Sequence, residues 1–230
     1  MKVLFVLTSH NKLGNTDKKT GFWIEEFTTP YYVLADAKMD ITIASPKGGQ
    51  PPVDPSSELE NAQTTSSKRF YKDAELIYKV AHSVKLSEIK EVGFDAIFYP
   101  GGHGPLWDLA TDKNSIALIE SFYKHQKPIA FVCHAPAALV QVKTENGEPL
   151  VKGKKVTGFS NTEEAAVDLT KIVPFLLEDE IKKNGAQYSK AKDWQSYTIQ
   201  DGLLITGQNP ASSEAVAKLL LKTLTSKIKK

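Results

Sequence analysis

The chain has 230 residues with 29 Lys and Arg against 27 Asp and Glu, a net charge of +2. That is long enough to bury a full hydrophobic core in one α/β domain, residues 1–230, and too balanced in charge to expect a nucleic-acid partner. A single cysteine excludes an intramolecular disulfide, so no oxidising compartment is implied and a cytoplasmic location is expected.

The opening MKVLFVLTSHNKLGN holds only a short apolar run. It suits a first β-strand better than a secretory signal or a membrane span, so no membrane partner is expected. The segment TGFWIEEFTTPYYVLADAK follows with helical periodicity. With Phe27 at zero and about 100° per residue, Trp23, Pro30, Tyr31 and Leu34 fall within roughly 60° and define a buried stripe. Glu25 lies about 160° from the stripe and is expected in solvent; Glu26 lies about 100° away, on its edge. DITIAS from Asp40 reads as a second strand, and SPKGGQPPVDPSS from Ser45, rich in Pro and Gly, as a surface loop. Lys68 to Ile89 reads as an inserted helical piece that caps one end of the sheet.

FDAIFYP from Phe94, PIAFVC from Pro128 and KVTGF from Lys155 continue the strands, with helical runs between most of them. Strands alternating with helices predict a mostly parallel sheet covered on both faces, an α/β fold. SYTIQDGLLITGQNP holds two strand-like runs around Asp201-Gly202, a late β-hairpin at or beside a sheet edge. The helix SSEAVAKLLLKTL comes next, opened by serines, and the basic end TSKIKK reads as a solvated helix terminus.

Ligands of open parallel sheets bind beyond the carboxyl ends of the strands, so the residues just after each run carry most information. Cys133 ends PIAFV and is followed at once by His134 and the run APAALVQV. Two readings compete: a small buried hydrophobe, which free cysteine commonly is, or a nucleophile on a strand-to-helix turn. The adjacent histidine, the helix start and a second Gly-rich loop favour the nucleophile, with the helix's positive end expected to lower the thiol pKa. That second loop is PGGHGP after DAIFY. Gly101, Gly102 and His103 are its candidate oxyanion and substrate-binding residues, the Gly102 amide assisting that of His134.

Glu26 is the candidate carboxylate. At the edge of a buried stripe it is either a carboxyl of raised pKa that shares a proton with a thiol, or a side chain that reaches water. His82 and His125 sit in helical runs and are expected at the surface or in packing; His10 follows the first strand and could line the same crevice.

With Glu26, GGHG and VCHAP in hand, the chain resembles the ThiJ/PfpI superfamily, relatives of class I glutamine amidotransferase domains. It is most similar to the larger branch of glutathione-independent glyoxalases and stress-inducible chaperones. The likeness runs through TGFWIEE, PGGHGPLWDL, FVCHAPAAL, VTGFSNTEEAAV, VPFLLEDEIKKNGAQY and DGLLITGQNPASS. It implies a flavodoxin-like sandwich with Cys133 as nucleophile, His134 beside it and Glu26 as the carboxylate. It further implies a homodimer that converts methylglyoxal and similar 2-oxoaldehydes to 2-hydroxy acids (D-lactate) without glutathione or added cofactor, and no metal ligand is assigned. The alternatives are a chaperone acting through exposed apolar patches, to which Trp107, Phe70 and Tyr71 would contribute, or a deglycase or amide hydrolase using the same cysteine. Two departures stand out. Ala135 replaces a glycine common in relatives, and no histidine follows His134 to complete an amidotransferase triad.

Overall fold

A computed structural model describes residues 1–226; the lysine-rich end expected to be a solvated terminus lies mostly outside them. Among the described residues, nine β-strands and seven α-helices are numbered in chain order. Strand β1 (Lys2–Val6) leads to α1 (Ile24–Asp36) and β2 (Asp40–Ser45). Helices α2 (Thr65–Phe70) and α3 (Ala74–Ala81) then precede β3 (Val84–Lys85) and β4 (Ala96–Tyr99). Next come α4 (Lys113–Lys124), β5 (Ile129–Val132), β6 (Lys155–Val156), α5 (Asn161–Ala166) and α6 (Leu177–Lys183). The chain closes through β7 (Gln187–Tyr188), β8 (Thr198–Asp201), β9 (Leu204–Gly207) and α7 (Ser213–Ser226).

The main sheet has seven strands in the order β3-β2-β1-β4-β5-β9-β8. All neighbours are parallel except β8 and β9, the hairpin expected around Gly202, which places β8 at the edge. Every residue of β4, β5 and β9 is buried. Their largely apolar character is what a strand covered on both faces requires. This is the expected doubly covered α/β architecture. From β1 the chain moves outward to β2 on one side and later to β4 on the other, so the strand order reverses between β1 and β4. Ligands bind at such a reversal, beyond the carboxyl ends of the strands.

Several details differ from the sequence expectations. KVTGF contributes only β6, which pairs with β7 in a separate two-stranded sheet. The inserted helical piece ends in β3, an edge strand beside β2; two residues are too few for a period to register. The Pro-rich loop is not wholly superficial. Asp54 is buried where its carboxylate accepts from Thr20 Oγ1 at 2.8 Å and the Ser56 amide at 2.9 Å. Of the three aromatics expected in an exposed patch, Phe70 is buried edge-on against Phe27, Trp107 is half-buried, and Tyr71 is exposed.

Candidate active site

Three loops meet at the reversal. The first is the entry into α1. Phe27, Pro30, Tyr31 and Leu34 are buried as the stripe predicts and draw the helix onto the sheet, whereas Trp23 is only half-buried and Phe22, off the stripe, is fully buried. Glu26 goes in with them and is completely buried, which resolves the open question about its edge position. Pro30, one turn on, cannot donate to the Glu26 carbonyl.

The second loop, after β4, receives that carboxyl. The Gly101 amide donates to Glu26 Oε2 at 2.9 Å. A Cβ at Gly101 would stand 2.6 Å from that oxygen and 2.8 Å from Cys133 Cβ. At Gly102, with φ +89°, a Cβ would meet the Gly21 carbonyl at 2.4 Å. Only glycine permits this approach of backbone to backbone.

The third loop carries Cys133, which has φ 61°. A non-glycine residue in the left-handed region costs of order 1 kcal/mol or more and persists where the surrounding fold over-determines it. Here the Cys133 amide donates to the Gly207 carbonyl at 2.9 Å, and its own carbonyl accepts from the Phe159 amide at 2.9 Å. The turn is pinned on both sides. The alanine-rich run beyond it forms only a short 3-10 stretch, Ala135–Leu139, rather than the expected helix. All five of its residues are buried, so packing rather than helix propensity sets their course.

That difference changes the electrostatics of the sulfur. Cys133 is 3% exposed. Burial first, then the charge of Glu26, push its thiol well above the ordinary value, and the Gly102 amide acts in the opposite sense. The expected lowering by a helix terminus gives way because one short 3-10 turn supplies little dipole. Glu26 is also raised, by burial first; contact with the Cys133 thiol lowers it, the Glu25 charge raises it, and the Gly101 and Gly102 amides lower it. Burial thus disfavours the charged form of both thiol and carboxyl, and each one's charge disfavours the other's.

His134 Nδ1 stands 3.3 Å from Cys133 Sγ, and its Nε2 stands 2.7 Å from Glu164 Oε2. Glu164, an oxygen-only acceptor when ionised, takes a second bond from His103 Nε2 at 2.8 Å on Oε1. Burial opposes ionisation of Glu164, but the two imidazoles outweigh it and hold the carboxyl below its ordinary range. Burial, and then the neighbouring His103, lower His134. With Glu164 ionised and His134 neutral, the bonding pattern assigns the proton to Nε2 and leaves the Nδ1 lone pair facing the thiol.

All the expected site residues, Cys133, His134, Glu26, Gly101, Gly102 and His103, thus converge. Glu164 was not among them. Its signal lay in SNTEE, where Ser160 and Glu163 form a capping box that opens α5 and sets Glu164 one residue later. Glu25, expected in solvent, is half-buried in a groove that Thr64, Arg69 and Ala211 also line, and burial raises its carboxyl to about 7. A single-helix projection cannot show that cover. His10 is turned onto Trp107, ring centroids 5.0 Å apart, while His82 and His125 are exposed at helix ends as expected. A cleft of about 450 Å³ opens beside His103, walled by Leu13, Trp23, Val167 and Leu169. A larger hollow, about 740 Å³, between the end of α4 and the turn at 143–147 is lined by His125 but by none of Cys133, His134, Glu26, His103 and Glu164.

His103, His134 and Glu164 present ligand atoms within 4.8 Å of one another, a set of the kind that suits a divalent ion. Here those nitrogens and oxygens bond to each other.

A buried cysteine on a strained turn after a parallel strand, with a histidine and two carboxyls beside it, is the arrangement found in α/β enzymes that use a nucleophile. The chain belongs to the DJ-1/PfpI family, whose model matches residues 19–223. It is 30% identical to Glyoxalase 3 of Candida albicans over 95% of this chain and 96% of that protein. It is likewise 30% identical to glutathione-independent glyoxalase HSP31 of Saccharomyces cerevisiae, over 94% of each. Among solved structures, Candida albicans glyoxalase III superposes with a TM-score of 0.90 at 29% identity, over 96% of each chain. Rapid Encystment Protein 24 KDa of Francisella tularensis superposes at 0.93 and 40% identity, over 97% of this chain and 98% of that one.

Proposed function

We propose that this protein is a glutathione-independent glyoxalase that converts methylglyoxal and related 2-oxoaldehydes to 2-hydroxy acids, methylglyoxal giving D-lactate. The observation that carries the reading is the buried pairing of the Glu26 carboxyl with the Cys133 thiol, on a turn where a neutral His134 faces the same sulfur. The relatives named above as glyoxalases support it across nearly their whole length.

In this mechanism the Cys133 thiol adds to the aldehyde carbon. The S–C bond forms, the carbonyl π bond breaks, and the thiol proton passes through His134 or Glu26 to the new hydroxyl. The Gly102 and His134 amides are assigned to the developing oxyanion, with Gly101 and His103 completing the substrate-binding loop. Glu26 or His134 then takes the proton from the former aldehyde carbon, giving an enediol, and returns it to the neighbouring carbon. The result is a 2-hydroxy thioester on Cys133. Water cleaves it, releasing lactate and restoring the thiol. Redox state is conserved overall, because one carbon is oxidised as its neighbour is reduced. Glu164 keeps the imidazole in the required tautomer throughout.

No helix among the described residues is long and apolar enough to cross a membrane. A cytoplasmic homodimer is part of the same proposal, open to fractionation and light scattering. The decisive assay supplies purified protein with methylglyoxal and no thiol. One lactate enantiomer forms at a rate indifferent to added glutathione, and Cys133→Ser is inactive. Racemic product, a glutathione requirement or an active serine variant each overturns the mechanism.

A further inference from the structure

The cleft of about 450 Å³ shares two walls with the site. His103 is one of them, and its ring lies 4.1 Å from that of His134 between centroids. Trp23 is the other. Its amide donates to the Gly101 carbonyl at 3.1 Å, and a Cβ at Gly101 would stand 2.8 Å from Cys133 Cβ. The cleft is thus built on the loops that hold the sulfur, and the far end of a molecule bonded there has this space to occupy.

Leu13, Trp23 and Leu169 give the cleft apolar walls, and the exposed Lys18 and Lys19 also line it. Neither ammonium has an ion-pair partner among the described residues. The carboxyl in the same lining, Asp54, is buried and already accepts from the Thr20 hydroxyl and the Ser56 amide. Asp17, next to the lysines in sequence, does not line the cleft. Two uncompensated positive charges therefore stand over an apolar hollow.

The lysines sit on a built turn rather than a free loop. Lys12 and Lys19 pair across an antiparallel bridge, the Leu13 amide donates to the Lys18 carbonyl at 3.0 Å, and the Thr20 amide donates to the Asn11 carbonyl at 3.1 Å. The Thr16 hydroxyl closes the turn onto the Leu13 carbonyl at 2.6 Å. At Gly14, with φ +56°, a Cβ would stand 2.9 Å from the Ile172 carbonyl, so the turn is packed from behind. Backbone held in this way leaves only the side chains to be ordered when a ligand binds.

We propose that this cleft is an anion subsite in which Lys18 and Lys19 are specificity-determining residues, selecting 2-oxoaldehydes that carry a carboxylate a few carbons beyond the reacting aldehyde. The substrate class rests on the glyoxalase reading; the affinity for a carboxylate does not. A lysine ammonium is a point charge that a single carboxylate satisfies, and no arginine lines the cleft to fork onto a phosphate. The methylenes between aldehyde and carboxylate lie along the apolar walls. Methylglyoxal, ending in a methyl, reaches neither lysine. The chemistry balances as before. In 4,5-dioxopentanoate the aldehyde carbon is oxidised to a carboxyl, the neighbouring ketone is reduced to a hydroxyl, one water is taken up, and 2-hydroxyglutarate leaves.

The test compares 4,5-dioxopentanoate with its methyl ester, the same chain without the charge. The ratio of kcat/KM values, acid over ester, is expected to fall about three- to tenfold in Lys18→Gln/Lys19→Gln, the worth of two exposed charge contacts. It falls further in Lys18→Glu/Lys19→Glu and is kept in Lys18→Arg/Lys19→Arg. Raising the ionic strength from about 0.01 M to about 1 M shortens the screening length from about 30 Å to about 3 Å and draws the wild-type ratio down toward that of the Gln variant. Equal losses on both substrates, an unchanged ratio, or a ratio indifferent to salt overturns the proposal. If wild type turns over neither aldehyde, the glyoxalase reading falls. The anion subsite is then judged by NMR titration with 4-oxopentanoate, which has a methyl in place of the aldehyde. Binding that weakens in the Gln variant and survives in the Arg variant sustains it; no binding to wild type, or equal binding to wild type and the Gln variant, overturns it.

Discussion

Thirty residues separate His134 and Glu164 in the chain, yet Nε2 of the first donates to Oε2 of the second at 2.7 Å with both side chains buried. The bond fixes which imidazole nitrogen is free, and the free one is 3.3 Å from Cys133 Sγ. Cysteine, histidine and glutamate therefore form a line in which each member orients the next.

Replacing the last member isolates that orienting role. Glu164→Gln keeps the shape but presents an NH₂ group that can turn toward one of the two imidazoles, favouring the tautomer with its proton toward sulfur. A fall in kcat of about 10² to 10⁴ is expected with the fold retained, as when a triad carboxylate becomes its amide. Steady-state lactate formation together with circular dichroism checks it, and wild-type turnover would remove Glu164 from the mechanism.

Glu26 and Glu25 separate by role. Glu26→Gln cannot exchange a proton and is expected to lower kcat by about 10² to 10⁴. Glu25→Gln retains turnover, but removing its charge lowers the proton affinity of Glu26, which that charge raises. The acid limb of its pH–rate profile therefore moves to lower pH. Superimposable profiles for Glu25→Gln and wild type contradict this coupling.

The thiol's reactivity follows from the same electrostatics. With burial and Glu26 both raising Cys133, alkylation by iodoacetamide is expected to be slow at neutral pH and to accelerate as pH rises. Glu26→Gln removes the opposing charge and shifts the inflection downward. Fast neutral labelling of wild type, with an inflection below that of free cysteine near 8.5, would instead vindicate a helix-terminus effect.

Stability should carry opposite signatures from the two glutamates. Glu26, raised from an ordinary 4.5, binds its proton more tightly folded than unfolded. The stability it contributes is present in acid and is lost as pH rises above about 4.5. Glu26→Gln is free of that loss, so its Tm relative to wild type increases from about pH 4.5 upward. Glu164, lowered from 4.5, contributes stability above that value and loses it as pH falls toward its folded-state pKa. Glu164→Gln is accordingly destabilised at neutral pH and converges on wild type in acid. Thermal melts between about pH 2 and 8 separate the two signs.

Composition and periodicity alone determined the α/β class, the first, second, fourth and fifth strands of the main sheet, the hairpin at Gly202 and the buried stripe of α1. Each rests on a local pattern of period 2 or 3.6, or on a run of apolar residues flanked by turns. The same local reading placed Cys133, His134 and the Gly101–His103 loop at strand ends, where chemistry collects in such sheets. Tertiary structure decided what depends on neighbours distant in sequence. Glu26 is buried and Glu25 half-covered because other elements close over α1, and the 3-10 course after Cys133 follows from packing on every side. The thiol's shift comes first from burial and then from a carboxylate 107 positions earlier in the chain, and Glu164 reaches His134 only when the start of α5 is folded beside the turn after β5. Burial and Coulomb interactions act through space, and a one-dimensional pattern records them only where the chain meets itself within a few residues.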